Sequence, residues 1–76
     1  MHIQELKIPK ERIPILIGTK SEIKSRIQRS TKTKLTIDSE EGDVLIEGED
    51  SLNVFTALLI IKAISRGFNP DLALLL

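Results

Sequence analysis

The sequence predicts a small α+β domain in which a three-stranded sheet packs against three helices, in the chain order β-α-α-β-β-α. Three observations predict it. Two apolar segments at helical spacing, 10–17 and about 20–30, are separated only by a tight turn that begins at Gly18. Two alternating segments, 33–38 and 43–47, flank Ser39-Glu40-Glu41-Gly42 as the arms of a hairpin. One long apolar segment, 51–66, is bounded by a cap at one end and Gly67 at the other. A chain of 76 residues allows one domain and a modest core, burying about 60–65% of its unfolded surface.

The elements follow in order. Residues 3–8 read as a short strand with Leu6 and Ile8 on one face, ended by Pro9. In 10–17, Ile13, Ile15, Leu16 and Ile17 make a compact helix, and Pro14 fits only in its first turn, where the missing N–H costs nothing. Gly18 stops it. The next helix has Thr19 as its expected cap, with Glu22 three residues on completing a capping-box pattern. Ile23 and Ile27 share its inner face, flanked by a stripe of Lys20, Lys24 and Gln28. Leu35 and Ile37 face inward from the first hairpin arm, Val44 and Ile46 from the second. Asp50 or Ser51 caps the long helix, whose apolar residues cover nearly its whole circumference. Such a helix calls for burial on all sides, more than one small sheet supplies. Residues 1–68 make up the domain. Asn69-Pro70-Asp71 reads as a helix start leading into 72–76, expected to continue into a further C-terminal domain.

Composition narrows the function. The chain is formally neutral, but the charge is split. Residues 1–37 carry nine basic groups against three acidic ones, and residues 38–76 two against eight. Neutrality excludes a nucleic-acid binder that works by bulk charge but leaves one that works through a patch. The absence of cysteine excludes disulfides, thiolate metal sites and thiol catalysis, and fits a reducing cytoplasm. No apolar run approaches the length that spans a bilayer. Phe55 and Phe68 are the only aromatics, so base stacking on protein rings is nearly excluded. Catalysis is not expected: the one histidine, His2, sits beside the initiator, and no nucleophile triad, paired-carboxylate pocket or P-loop is present. No cofactor or metal is called for. Asp38, Glu40 and Asp43 do not keep calcium-loop spacing.

The element order and the tight turn resemble the K-homology (KH) RNA-binding domain in its type I form. The residues that carry the resemblance run from Ile8-Pro9-Lys10-Glu11-Arg12-Ile13 through Pro14-Ile15-Leu16-Ile17-Gly18-Thr19-Lys20-Ser21, then Ile23-Lys24 and Ile27. The likeness covers about 3–66. In that family an Ile-Gly-x-x-Gly turn clamps about four nucleotides of backbone. More narrowly, the Ile-Pro-x-x-Arg-Ile-x-x-Leu-Ile-Gly stretch and the ending Ser65-Arg66-Gly67-Phe68-Asn69-Pro70 resemble the first KH domain of the archaeal partner-of-Nob-one family, which acts on small-subunit ribosomal RNA. That resemblance implies a second KH domain in the full protein. Two departures stand out. Ser21 occupies the place of the second loop glycine, and Pro14 replaces a glycine usual in the first helix.

On their own chemistry, the residues from Gly18 to Ser21 open a helix, whose free N–H groups and positive dipole end favour phosphate. The candidate RNA contacts are therefore Gly18, Thr19, Lys20 and Ser21, with Lys24 one turn on, Arg12 on the preceding helix, and Lys34 on the following strand across a groove. Ile17, Ile27 and Leu35 would floor that groove. Each cation taken alone is as well explained as part of a solvated face; the cluster favours binding. Glu40 and Glu41, beside the groove, would repel phosphate. The expected function is weak contact with single-stranded ribosomal RNA through a degenerate loop. The alternative is a KH module with no RNA role that meets a protein partner or a second domain through Phe55, Leu59, Ile60 and Phe68, a face that also predicts self-association, and through the acidic rim at 38–50 with its seven carboxylates.

Overall fold

The computed structural model describes residues 1–67 and Asn69. Its elements are β1 (His2–Lys7), a 3-10 turn (Lys10–Arg12) running into α1 (Ile13–Ile17), α2 (Glu22–Thr31), β2 (Lys34–Asp38), β3 (Asp43–Gly48) and α3 (Ser51–Ser65). The three strands form one antiparallel sheet in the order β1-β3-β2. The hairpin register opposes Leu35 to Ile46 and Ile37 to Val44, and β1 joins the far side with Leu6 opposite Val44.

The three helices cover one face of this sheet. Leu35, Val44 and Ile46 meet Leu16, Ile27, Val54, Ile61 and Ile64 in a core from which solvent is excluded. Leu6, Ile15, Ile17, Ile23 and Ile37 pack around its rim. Gln28 ties α2 to the edge strand, its side-chain oxygen accepting the Leu35 N–H at 2.9 Å. The hydroxyls of Thr31 and Thr33 meet at 2.7 Å, and Thr31 also donates to the Ile27 carbonyl. Both threonines are buried, so this pairing removes the cost of unsatisfied hydroxyls.

The differences from expectation are local. Ile8 has left β1; its N–H turns to the Gly42 carbonyl at 2.9 Å, and its side chain is buried. Pro14 lies in the first turn of α1, as its chemistry requires. The Thr19 capping box does not form. Thr19–Ser21 makes a separate 3-10 turn, Lys20 and Ser21 are left-handed, and α2 begins at Glu22 with no side chain on its first amides. Left-handed backbone at two successive residues breaks the continuous helical path that a cap at Thr19 needs. Of the two candidate caps for α3, Asp50 serves, accepting the Leu52 N–H at 2.8 Å. Asp50→Ala is expected to lower stability by about 1 kcal/mol, measured as the shift of the urea midpoint.

α3 is buried along Val54, Ala57, Leu58, Ile60, Ile61, Ala63 and Ile64, against α1, α2, β1 and β3. Ile60, expected on an interaction surface, is only 2% exposed and belongs to the core. The remaining side is open. Leu52, Phe55 and Leu59 face outward. Phe68 and, of the helix start expected at 69–76, all residues but Asn69 lie outside the described residues. No helix among the described residues is long and apolar enough to cross a membrane.

Candidate nucleic-acid interface

The turn between α1 and α2 is built on Gly18, at φ +76 and ψ 178. This is a region essentially closed to residues with a side chain. A Cβ there would also lie 2.5 Å from Ile23 Cγ1 and 3.0 Å from the Ile23 nitrogen. Glycine is therefore required twice over, by dihedral angle and by the close approach of α2. The Gly18 N–H closes α1 on the Pro14 carbonyl at 2.9 Å, and the Gly18 carbonyl accepts the Ser21 N–H at 3.3 Å.

Between Gly18 and α2 the chain passes through Lys20 (φ 53, ψ 35) and Ser21 (φ 61, ψ 25). Both are left-handed, which costs an ordinary residue roughly 1–2 kcal/mol. Ser21 thus holds the backbone shape that a glycine would take without strain. The turn leaves Thr19, Lys20 and Ser21 exposed and Lys24 half-buried one helical turn on. The first amides of the ten-residue α2 carry no side-chain cap and concentrate the positive end of the helix dipole. Ser21→Gly is expected to raise stability by about 1 kcal/mol by relieving the left-handed strain, read by thermal or urea denaturation.

An open pocket of about 370 Å³ adjoins the turn, lined by Lys10, Ile13, Pro14, Ile17, Gly18 and Ser39. One wall is the first helical segment, with exposed Pro14, half-buried Ile17 and buried Ile13; its far side is the hairpin loop. Two expected residues, Ile17 and Gly18, line it. Lys10, Ile13 and Pro14 were not among the candidates. Their signal was present, because positions 10, 13, 14 and 17 recur at the spacing of one helical face.

Other candidates stand elsewhere. Ile27 and Leu35 are 0% and 2% exposed and lie in the core, so neither floors a groove open to bases. The Arg12 Nε–H donates to the Ile64 carbonyl at 2.9 Å. That half-buried side chain holds the first helical segment against the last turn of α3. Lys34 is exposed on β2 opposite Glu47 and takes no part in the pocket.

The hairpin loop is ordered by Asp38, whose Oδ1 accepts the N–H groups of Glu40 at 3.0 Å and Glu41 at 3.2 Å. It is Ser39, not either glutamate, that borders the pocket. Lys7 and Asp43 approach to 3.7 Å across β1 and β3, both well exposed, a pairing worth little in water. Among the described residues no cluster of three or more potential metal ligands occurs.

Residues 3–63 match the KH domain family. The chain belongs to it. A KH domain-containing protein of Methanocaldococcus jannaschii is 46% identical over 95% of this chain, which covers 33% of that protein. Among solved structures, Dim2p from Pyrococcus horikoshii superposes with a TM-score of 0.93 at 48% identity, covering 96% of this chain and 46% of that one. The same organism's Dim2p in a complex with a/eIF2alpha and rRNA gives 0.92 at 48% identity, over 96% of this chain and 44% of that one. A protein of unknown function from Aeropyrum pernix gives 0.90 at 36%, over 95% and 40%. The chain thus spans a third of the length of its curated relative and under half of the crystallised chains. The fold is the type I KH fold, as the turn and element order implied. The likeness to archaeal Dim2p agrees with the narrower resemblance to the partner-of-Nob-one family.

Proposed function

We propose that this KH domain contacts single-stranded ribosomal RNA, as the N-terminal module of a cytoplasmic factor in small-subunit RNA processing or assembly. One observation carries the reading. The turn from Gly18 to Ser21 presents Lys20 and the uncapped start of α2 to solvent, immediately beside an apolar pocket. Phosphate would meet the helix start and Lys20, with Lys24 close behind. A base would lie against Ile17 and Pro14, with Ile13 buried behind them. Binding is weak and salt-sensitive, because no exposed aromatic lines the pocket and few cations reach it. The Ser21 side chain crowds the place where family members bring bare backbone to phosphate. A second KH domain elsewhere in the full protein would supply the remaining affinity. The rRNA-bound state of the Pyrococcus horikoshii relative supports the assignment.

Titration with a short single-stranded RNA at low salt, followed by backbone amide shifts, tests it. The expected response is confined to residues 10–24 and the loop at 39–42. Silence there at saturating RNA removes the RNA role from this domain.

A further inference from the structure

The helices cover one face of the sheet, and the other face is open. Leu6, Leu35, Ile37, Val44 and Ile46 pack into the helical layer. By alternation Ile3 and Glu5 on β1, and Leu45 and Glu47 on β3, point to the open side. The register chequers these four residues. Ile3 lies opposite Glu47 and Glu5 opposite Leu45, so one diagonal of the patch is apolar and the other acidic. Ile3 is 55% exposed. Together with Met1, it is the only large apolar side chain that stands exposed outside α3 among the described residues.

Charge follows the same division. Among the described residues, the strands and the hairpin loop carry six carboxylates against two lysines, whereas the helices and their connections carry nine cations against four carboxylates. Some of the six are engaged. Asp38 orders the hairpin loop, and Asp43 approaches Lys7 at 3.7 Å. Lys34 stands opposite Glu47 but makes no ion pair shorter than 4 Å among the described residues. Glu5 and Glu47 therefore keep their charge on two sides of Leu45. Phosphate is repelled from such a face, and its complement is cationic and partly apolar. Diagonal neighbours on a sheet stand about 7–8 Å apart, and alternate side chains of an extended segment about 6.8 Å. Two basic residues, two apart in an extended segment, match Glu5 and Glu47, and an apolar side chain beside them meets Ile3 and Leu45. We propose that the open face of the sheet docks a basic, extended segment of a protein partner. It lies across the sheet from the helices that carry the Gly18–Ser21 turn, and it does not depend on the RNA reading.

Titration of the chain with a short synthetic peptide provides the test, followed by backbone amide shifts. The peptide repeats Lys-Ser-Lys-Ser-Leu-Ser, which puts two cations and one apolar side chain on the same face of an extended segment. The expected shifts lie at 3–5, 36 and 44–47, with 17–24 silent. A control peptide with serine in place of leucine should bind about tenfold more weakly. Glu5→Lys with Glu47→Lys should abolish the shifts. Ile3→Ser with Glu5→Gln changes two exposed positions of an edge strand and should weaken binding by about tenfold or more. Circular dichroism verifies that each variant is folded. Equal binding of the two peptides marks the face as a surface that attracts any small cation, and overturns the proposal. So do shifts centred on 17–24 or on the hairpin loop alone, an affinity unchanged in either folded variant, or silence at millimolar peptide.

Discussion

Replacing Lys20 and Lys24 together by glutamate is expected to abolish binding of short single-stranded RNA at low salt while leaving the fold intact. Lys20 stands in the turn, and Lys24 is one turn into α2. Placing like charges against phosphate costs several kcal/mol, and each 1.4 kcal/mol or so is a factor of ten. A loss of about a hundredfold or more follows. Fluorescence anisotropy with a labelled oligonucleotide measures it. The salt dependence gives a second reading, since each phosphate neutralised on a single strand contributes about −0.7 to the slope of log affinity against log salt. Losing two contacts should flatten that slope by about 1.4 units in the neutral variant, Lys20→Gln with Lys24→Gln. Neither lysine makes an ion pair shorter than 4 Å among the described residues. The thermal midpoint should therefore hardly move, because surface changes of this type fall within about 0.5 kcal/mol. Unchanged affinity would place the RNA site away from this turn.

The second large effect is on stability. Gly18→Ala is expected to cost about 3 kcal/mol, combining a dihedral region that only glycine occupies freely with a Cβ 2.5 Å from Ile23 Cγ1. The two penalties cannot be relieved independently. Moving Ile23 away opens the packing of α2 on the core, and rotating Gly18 to a negative φ redirects the turn and Lys20 with it. A small domain has about 5–15 kcal/mol in hand, so the variant should fold but melt early and bind RNA poorly. Urea denaturation followed by circular dichroism measures the first part. An alanine that costs under about 0.5 kcal/mol would mean that the turn has another shape.

The sheet, the three helices and the direction of the core residues were legible because each rests on a periodicity: alternation at 33–38 and 43–47, helical spacing at 13–17 and 51–66. Gly18 was legible because it interrupts two apolar runs. What escaped were features set by contacts remote in sequence. Arg12 reads as a free cation until the last turn of α3 is placed beside it, 52 residues on. Ile27 and Leu35 read as a groove floor, but Leu16 and Ile61 also claim that space, and the core excludes solvent from both. Thr19 reads as a cap because Thr and Glu have the right spacing; the left-handed pair that follows is a backbone choice for which lysine and serine carry no sequence signal. Lys10, Ile13 and Pro14 were missed for another reason. The pocket wall is one helical face, but its opposite wall, Ser39, comes from a turn whose position only the hairpin register fixes.

The bond from Arg12 to the Ile64 carbonyl also bears on where the domain can be cut. The family match ends at residue 63, and a chain truncated there would keep every strand and most of α3. It would lose the acceptor for Arg12, the buried Ile64 side chain, and the amides of Arg66 and Gly67 that close the final turn on Lys62, Ala63 and Ile64. The contacts that hold the first helical segment to α3 therefore extend past the matched stretch. The first helical segment and the last turn of α3 form a single clasp, and a boundary drawn inside it would release Arg12 and that turn at once.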